Sequence, residues 1–417
     1  MTHSRGSSSN DRLPGQSNAL IDARSGASTT WAALPGVTLP APVAVVVGSS
    51  FDALAAVHAH ARTGAELLVV ARTRMDENLR NELRAAGFTV LDGEHVDPAT
   101  DDRAAEDGRL WLLTSGSTGR ATRVGHTLSS LTTVSGRLPP RRWLCPYSPG
   151  TYAWWQVVTL GLSSIGQDLV IVDPADLDSW VAAGIEHGIT AASGTPTFWR
   201  RTLMSHGDDI TRVPLKQVTL GGEPVDQAVL DHLHAAFPSA RISWIYASSE
   251  VGASIVVHDG RAGFPVEWLE RDSPGRARLA VVDGELVITS PHHGSGLVGA
   301  VRTGDAVMVE DGRVLITGRI DADEINVGGA KVSAGMVRSV LQSHPDVAWA
   351  HVHGRKAPVV GRMVVADVVL TSGETAAPGI VAELTRWCQD RLPEYGVPRR
   401  IRLLAAIPAK ETLKSDV

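Results

Sequence analysis

The run Leu112 to Val124, LLTSGSTGRATRV, holds the densest group of chemistry-bearing residues in the chain. An apolar, strand-like stretch (Leu110, Trp111, Leu112, Leu113) gives way to a segment built almost wholly of Ser, Thr and Gly. Such a segment has little side chain to pack. Gly116 and Gly119 open backbone conformations closed to other residues. The hydroxyls of Thr114, Ser115, Ser117 and Thr118 join backbone N–H groups as donors to phosphate oxygens. A phosphate cradle is the chemistry this composition can do. Its spacing is neither G-x-x-x-x-G-K-[ST] nor G-x-G-x-x-G, and taken alone it suits a solvated surface turn equally well.

Further stretches, in order, join it. Together they resemble the motifs of the adenylate-forming superfamily, which holds the acyl-CoA synthetases, the adenylation domains of peptide synthetases and the luciferases. The resemblance runs from about residue 40 to the C-terminus. It implies that Thr114 to Gly119 hold nucleotide phosphates and that the backbone of Gly221-Gly222-Glu223 lines the adenine. Tyr246-Ala247-Ser248-Ser249-Glu250 resembles a Tyr-Gly-x-Thr-Glu motif. That match implies adenine stacking for Tyr246, an α-phosphate contact for Ser249, and Mg²⁺ held by Glu250 as a hard oxygen ligand. In Arg302-Thr303-Gly304-Asp305 the aspartate would take the ribose hydroxyls, as an ionised acceptor can.

Gly318-Arg319-Ile320-Asp321 resembles a hinge, with Arg319 near the ribose or phosphate. Asn326 to Ser333 matches a loop that members of the family swing into the site for a second half-reaction. Pro408 with Thr412-Leu413-Lys414 resembles the closing stretch whose lysine bridges the carboxylate and the α-phosphate. Adenylation needs a phosphate loop, a carboxylate for magnesium, a ribose anchor, an adenine platform and a cation near the α-phosphate, because electrostatic positioning supplies most of its catalysis. The resemblance supplies each part.

Departures from the family pattern carry information too. Ala121-Thr122-Arg123 stands where Pro-Lys-Gly is usual, so the loop lysine is missing. Leu413 stands where Gly is usual, and Asp321-Ala322-Asp323 makes the hinge one residue longer, leaving either aspartate as its pivot. The segment expected to wall the acyl pocket, with Tyr147, Thr151 and Trp154, lacks both the histidine common in acyl-CoA synthetases and the aspartate that holds an α-ammonium. Its aromatic content points to a small, aromatic acid, activated with ATP and Mg²⁺ and passed to a thiol of CoA or of a carrier protein. Two other readings stay open: activation of nitrite to diazotise an aryl amine, and a nucleotide-binding protein without catalysis.

The elements that must position these residues follow from hydrophobic periodicity. Apolar runs at Val43–Val47, Leu67–Ala71, 88–91, 169–172, 190–193, 218–220 and 242–245 alternate with helical patterns at 51–63, 77–86, 177–187 and 227–237, which argues for parallel sheets. Short strands with polar turns from about residue 276 suggest a small β-barrel-like unit. The expected class is α/β: residues 1–38 a disordered tail, 39–318 an AMP-binding domain with a trimmed first subdomain, 319–323 a hinge, and 324–417 a small mobile α+β lid. The composition is 43% hydrophobic and 20% charged with net charge −6, which gives no basic excess for nucleic acid or an anionic membrane. No apolar run of about 18 residues exists to span a bilayer. Cys145 and Cys388 have no metal-ligand spacing and read as buried thiols, so a cytoplasmic protein is expected.

Overall fold

The computed structural model describes residues 13–115, 121–134, 136–248, 250–291, 299–320, 324–357, 361–372, 378–408 and 413–414. Two sheets carry the larger part of the chain. In the six-stranded sheet, Thr89–Asp92, Val43–Val47, Leu67–Ala71 and Leu110–Ser115 run parallel, with His95–Asp97 and Ala121–His126 added antiparallel at the edges. All five residues of Leu67–Ala71 are buried, as expected for a parallel strand covered on both faces. The crossover helix Ser50–Thr63 starts at Ser49, whose hydroxyl accepts from the Asp52 N–H, and stops at Gly64 in the left-handed conformation.

The eight-stranded sheet runs in the order Gly252–Val257, Arg241–Ser248, Gln217–Gly221, Ala191–Gly194, Arg141–Cys145, Gln167–Ile171, Ala19–Asp22, Ser28–Thr30. The six strands from Arg241–Ser248 to Ala19–Asp22 in that order are parallel, with an antiparallel strand at each edge. One core, including Val43, Leu67, Leu144, Trp154, Leu220 and Phe264, joins both sheets to the small antiparallel sheet built from Phe264–Pro265, Arg313–Arg319, Val301–Glu310, Glu285–Thr289 and Arg278–Val282. The C-terminal unit has its own core of Val337, Leu341, Val352, Val368 and Leu384. Its sheet takes Ala330–Ser333, Glu324–Val327, Gly361–Leu370 and Val347–Ala357 antiparallel, with Arg400–Leu404 parallel to Gly361–Leu370.

Three expectations change. Residues 13–38 are not a tail. Leu20, fully buried, sits in a strand paired with Gln167–Ile171, Trp31 is also fully buried, and the Asn18 amide donates to the Gly161 and Ser164 carbonyls at 2.7 and 2.6 Å. The polar composition conceals a four-residue strand that gains its stability from the neighbouring sheet. The run 326–333, expected as a loop, forms most of a β-hairpin turning at Gly328 and Gly329. The strand Leu110–Ser115 continues past its apolar stretch through Thr114 and Ser115, and it pairs antiparallel with Ala121–His126, expected as loop.

Candidate active site

The C-terminal ends of the parallel strands are where an open α/β sheet presents its loops to a ligand. Gly221 ends one such strand, and Tyr246 lies near the end of its neighbour beside a register shift at Tyr246/Ala247. The bulge bends the strand and turns Tyr246 toward the antiparallel sheet. Its hydroxyl donates to Asp305 Oδ2 at 2.5 Å. Burial, reinforced by the Asp305 charge, pushes the Tyr246 hydroxyl well above its ordinary range and keeps it a donor. Arg319 Nη1 lies 3.3 Å from Asp305 Oδ1 and donates to the Thr303 carbonyl at 2.7 Å. Three residues assigned from separate motifs therefore form one corner.

Glu285 holds that corner from behind, and no motif pointed to it. Its Oε1 accepts the Gly304 N–H at 2.8 Å and its Oε2 accepts Arg302 Nε at 2.6 Å. Gly304 takes φ +72°, and a side chain there would also press on the Arg319 guanidinium, 3.3 Å from the position of a Cβ. The Gly304 N–H, with Arg302 beside it, holds the Glu285 carboxyl below the usual carboxylate range against the opposing effect of burial. A glutamate opening an apolar strand gives no local signal of this role; the pairing of Glu285–Thr289 with Val301–Glu310 creates it.

Lys414 reaches the same end of the sheet. A Cβ at Gly222, which has φ +81°, would stand 3.3 Å from Lys414 Cε and 3.9 Å from Nζ. The preceding Leu413 is 2% exposed and sits beside Trp180, Phe198 and Thr202 at φ +64°. Its carbonyl accepts the hydroxyl of Thr195, which also caps the helix Pro196–His206 through the Phe198 N–H at 3.0 Å. Where the family usually has glycine, a buried leucine anchors the lysine turn. Glu223 is drawn to the same helix start, accepting the Thr197 N–H at 3.0 Å. Arg200, paired with Asp226 at 2.7 Å, donates from Nε to the Ala348 carbonyl at 2.9 Å and ties the C-terminal unit to this face.

Glu250 is exposed on the turn after Ser248, and its backbone N–H donates to Ser248 Oγ at 3.3 Å. Its carboxylate takes no partner among the described residues, which suits the oxygen ligand of a hard cation. Ala247 and Ser248 complete the strand below it. Gly116, Ser117, Thr118, Gly119, Ser249, Asp321 and Asp323 lie outside the described residues; Thr114 and Ser115 end the strand Leu110–Ser115.

The expected acyl wall is corrected. Trp154 is fully buried, with its ring edge-on to Trp155 at 5.0 Å, and belongs to the core. Thr151 caps the helix Tyr152–Ser163, and the buried Tyr147 hydroxyl donates to Ser193 Oγ at 3.0 Å. A cavity of about 1150 Å³ runs along the face of the eight-stranded sheet opposite Val218 and Leu220, past Thr219, Ile245 and Ala253, and between Trp143 and Trp268.

Residues 42–298 match the model of the AMP-binding enzyme family, and residues 337–414 match that of the AMP-binding enzyme C-terminal domain. The chain belongs to the AMP-binding enzyme family. Among curated members it is 26% identical to the acetyl-coenzyme A synthetase of Shewanella amazonensis, over 76% of this chain and 56% of that protein. It is 27% identical to surfactin synthase subunit 1 of Bacillus subtilis, over 60% of this chain and 8% of that one. The chain thus spans about half the length of the acetyl-coenzyme A synthetase it matches. Its fold is shared with an anthranilate CoA ligase in complex with anthranoyl-AMP (TM-score 0.71, 17% identity, 97% of this chain and 93% of that one). An amide bond synthetase from Marinactinospora thermotolerans is similar in the same way (TM-score 0.71, 21% identity, 97% and 96% covered). No described helix is long and apolar enough to cross a membrane.

Proposed function

We propose that this member of the family activates a carboxylic acid with ATP and Mg²⁺ to an acyl adenylate and then passes the acyl group to a thiol, that of CoA or of a carrier protein. The observation that carries the reading is the meeting of Lys414 with Gly222 beside the interlocked Tyr246, Asp305 and Arg319. Leu413, buried beside Trp180 and Phe198, fixes the backbone from which the exposed Lys414 side chain extends.

In the first half-reaction an oxygen of the acid bonds to the α-phosphorus as the bond from that phosphorus to the bridging oxygen breaks, releasing pyrophosphate. The Lys414 ammonium offsets the negative charge of the acid and the α-phosphate as they approach. Asp305, fixed by Tyr246 and Arg319, accepts from the ribose hydroxyls. Mg²⁺ at Glu250, when bound, would neutralise charge on the departing pyrophosphate. In the second half-reaction the thiol displaces AMP, and Lys414 must withdraw; residues 319–323 are the proposed pivot, with 324–417 as the moving lid. That motion breaks the Thr195–Leu413 and Arg200–Ala348 contacts. Aromatic surface for the acid comes from Trp143 and Trp268 rather than Trp154.

The test is acid-dependent ATP–pyrophosphate exchange across aryl and aliphatic acids. Exchange with a subset of acids, lowered about 100-fold or more in Lys414→Ala while ATP binding persists, is the expected result. Exchange unchanged in Lys414→Ala would remove the lysine from the reaction.

A further inference from the structure

A doubly wound parallel sheet is ordinarily covered on both faces by apolar helix contacts. One face of the eight-stranded sheet departs from this. The side chains lining the cavity there include Gln167, Gln217, Thr219 and Ser243, each from a different position on the parallel strands. They form a built polar floor. The Gln217 amide donates to Thr219 Oγ1 at 3.1 Å and to Ser243 Oγ at 3.2 Å, and Ser243 Oγ lies 2.7 Å from His258 Nδ1. Trp143 Nε1 donates to Gln167 Oε1 at 2.9 Å. The rest of the lining is largely apolar, with Leu160, Ile245, Val256 and Leu279 among its residues, so the cavity offers both a polar floor and apolar walls.

The cavity also has direction. Ile245 at one end directly precedes Tyr246, and Thr219 stands two residues before Gly221, so this end adjoins the nucleotide corner. Arg141 and Arg241 at the other end are the first residues of their strands. Four residue steps separate Arg241 from Ile245, about 13 Å at the usual strand rise. Arg271 and Arg276 line the opposing wall. None of these four arginines forms an ion pair with a described residue. The carboxylate in the lining, Asp259, is committed to Arg313 at 2.8 Å.

Resting on the adenylation reading above, we propose that the acid this chain activates is elongated and carries a second anionic group. Its reacting carboxylate lies at the Ile245 end and its distal anion among Arg141, Arg241, Arg271 and Arg276, with its stem passing the lining residues Trp143 and Trp268, Trp143 being level with Arg241 in the sheet register. A monoanion of the same length would leave the guanidiniums without an anionic partner and gain only the contacts of its stem.

The full-length chain tests this with pairs of acids about 10–14 Å long, each dicarboxylate set against the same molecule with its distal carboxylate converted to an amide. Specificity in ATP–pyrophosphate exchange should favour the dianion about tenfold or more, as expected for one charge-assisted contact. That ratio should fall towards one in Arg241→Gln and Arg271→Gln. In parallel, tryptophan fluorescence is titrated with the same pairs without ATP, and saturable quenching by the dianion that weakens with added salt is expected. Equal response to both members of every pair, in exchange and in quenching, would overturn the proposal. If no acid supports exchange, the adenylation reading fails, and the quenching titration still decides whether the groove selects a dianion.

Discussion

The two ends of the parallel strands in the eight-stranded sheet treat charge in opposite ways. Near their C-terminal ends Asp305, Arg319, Glu285 and Arg302 hold one another and Tyr246 in a closed network. Toward their N-terminal ends Arg141, Arg241, Arg271 and Arg276 share a groove without a carboxylate of their own among the described residues. A network of committed partners fixes geometry before a ligand arrives, which suits atoms that must be placed for reaction. Cations without such partners, over a polar floor, suit recognition of whatever brings the missing charge.

The comparison can be broken at the closed end first. Asp305→Ala removes both the proposed ribose acceptor and the partner of Tyr246 and Arg319, and should weaken ATP binding about 100-fold by calorimetry. Retained affinity would show that the network is structural only. Glu285→Gln keeps the shape of the side chain but loses the charge that anchors Gly304 and Arg302, with an expected weakening of about tenfold.

That variant carries a pH signature as well. The Glu285 carboxyl lies below its ordinary value of about 4.3, so its stabilisation is complete at neutral pH and is lost as pH falls through the lower folded value. Wild type should exceed Glu285→Gln in urea stability at pH 7, and the two should converge as the pH falls through the lowered folded value of the carboxyl. A constant difference would assign the effect to shape. The smallest change is expected from Tyr246→Phe. Asp305 keeps Arg319, and ATP affinity should fall about threefold. A larger loss would make the tyrosine hydroxyl, rather than the aspartate, the centre of the corner.

Much of the closed end is legible in the linear order of residues. Tyr246, Asp305, Arg319 and Lys414 each stand in a motif with fixed local spacing, and their strands are marked by apolar runs. Glu285 and Thr195 are not legible there, because their partners, Gly304 and Leu413, are brought to them only by sheet pairing and by docking of the C-terminal turn. The acyl wall is misplaced for a related reason. A helix carrying Trp154 and Trp155 is apolar on most of its surface, so periodicity does not say whether a given ring meets a cavity or the core.

The nucleotide motifs are read from the family resemblance, while periodicity and turn residues within a few positions of one another are enough to set the alternation of strands and helices and the separate C-terminal unit. They leave open whether residues 13–38 extend a sheet, which acceptor Tyr246 finds, and that four arginines face one groove; the folded chain settles these. A strand's side chains alternate between faces, and which face meets which neighbour is set by the register and pairing of residues far apart in the chain.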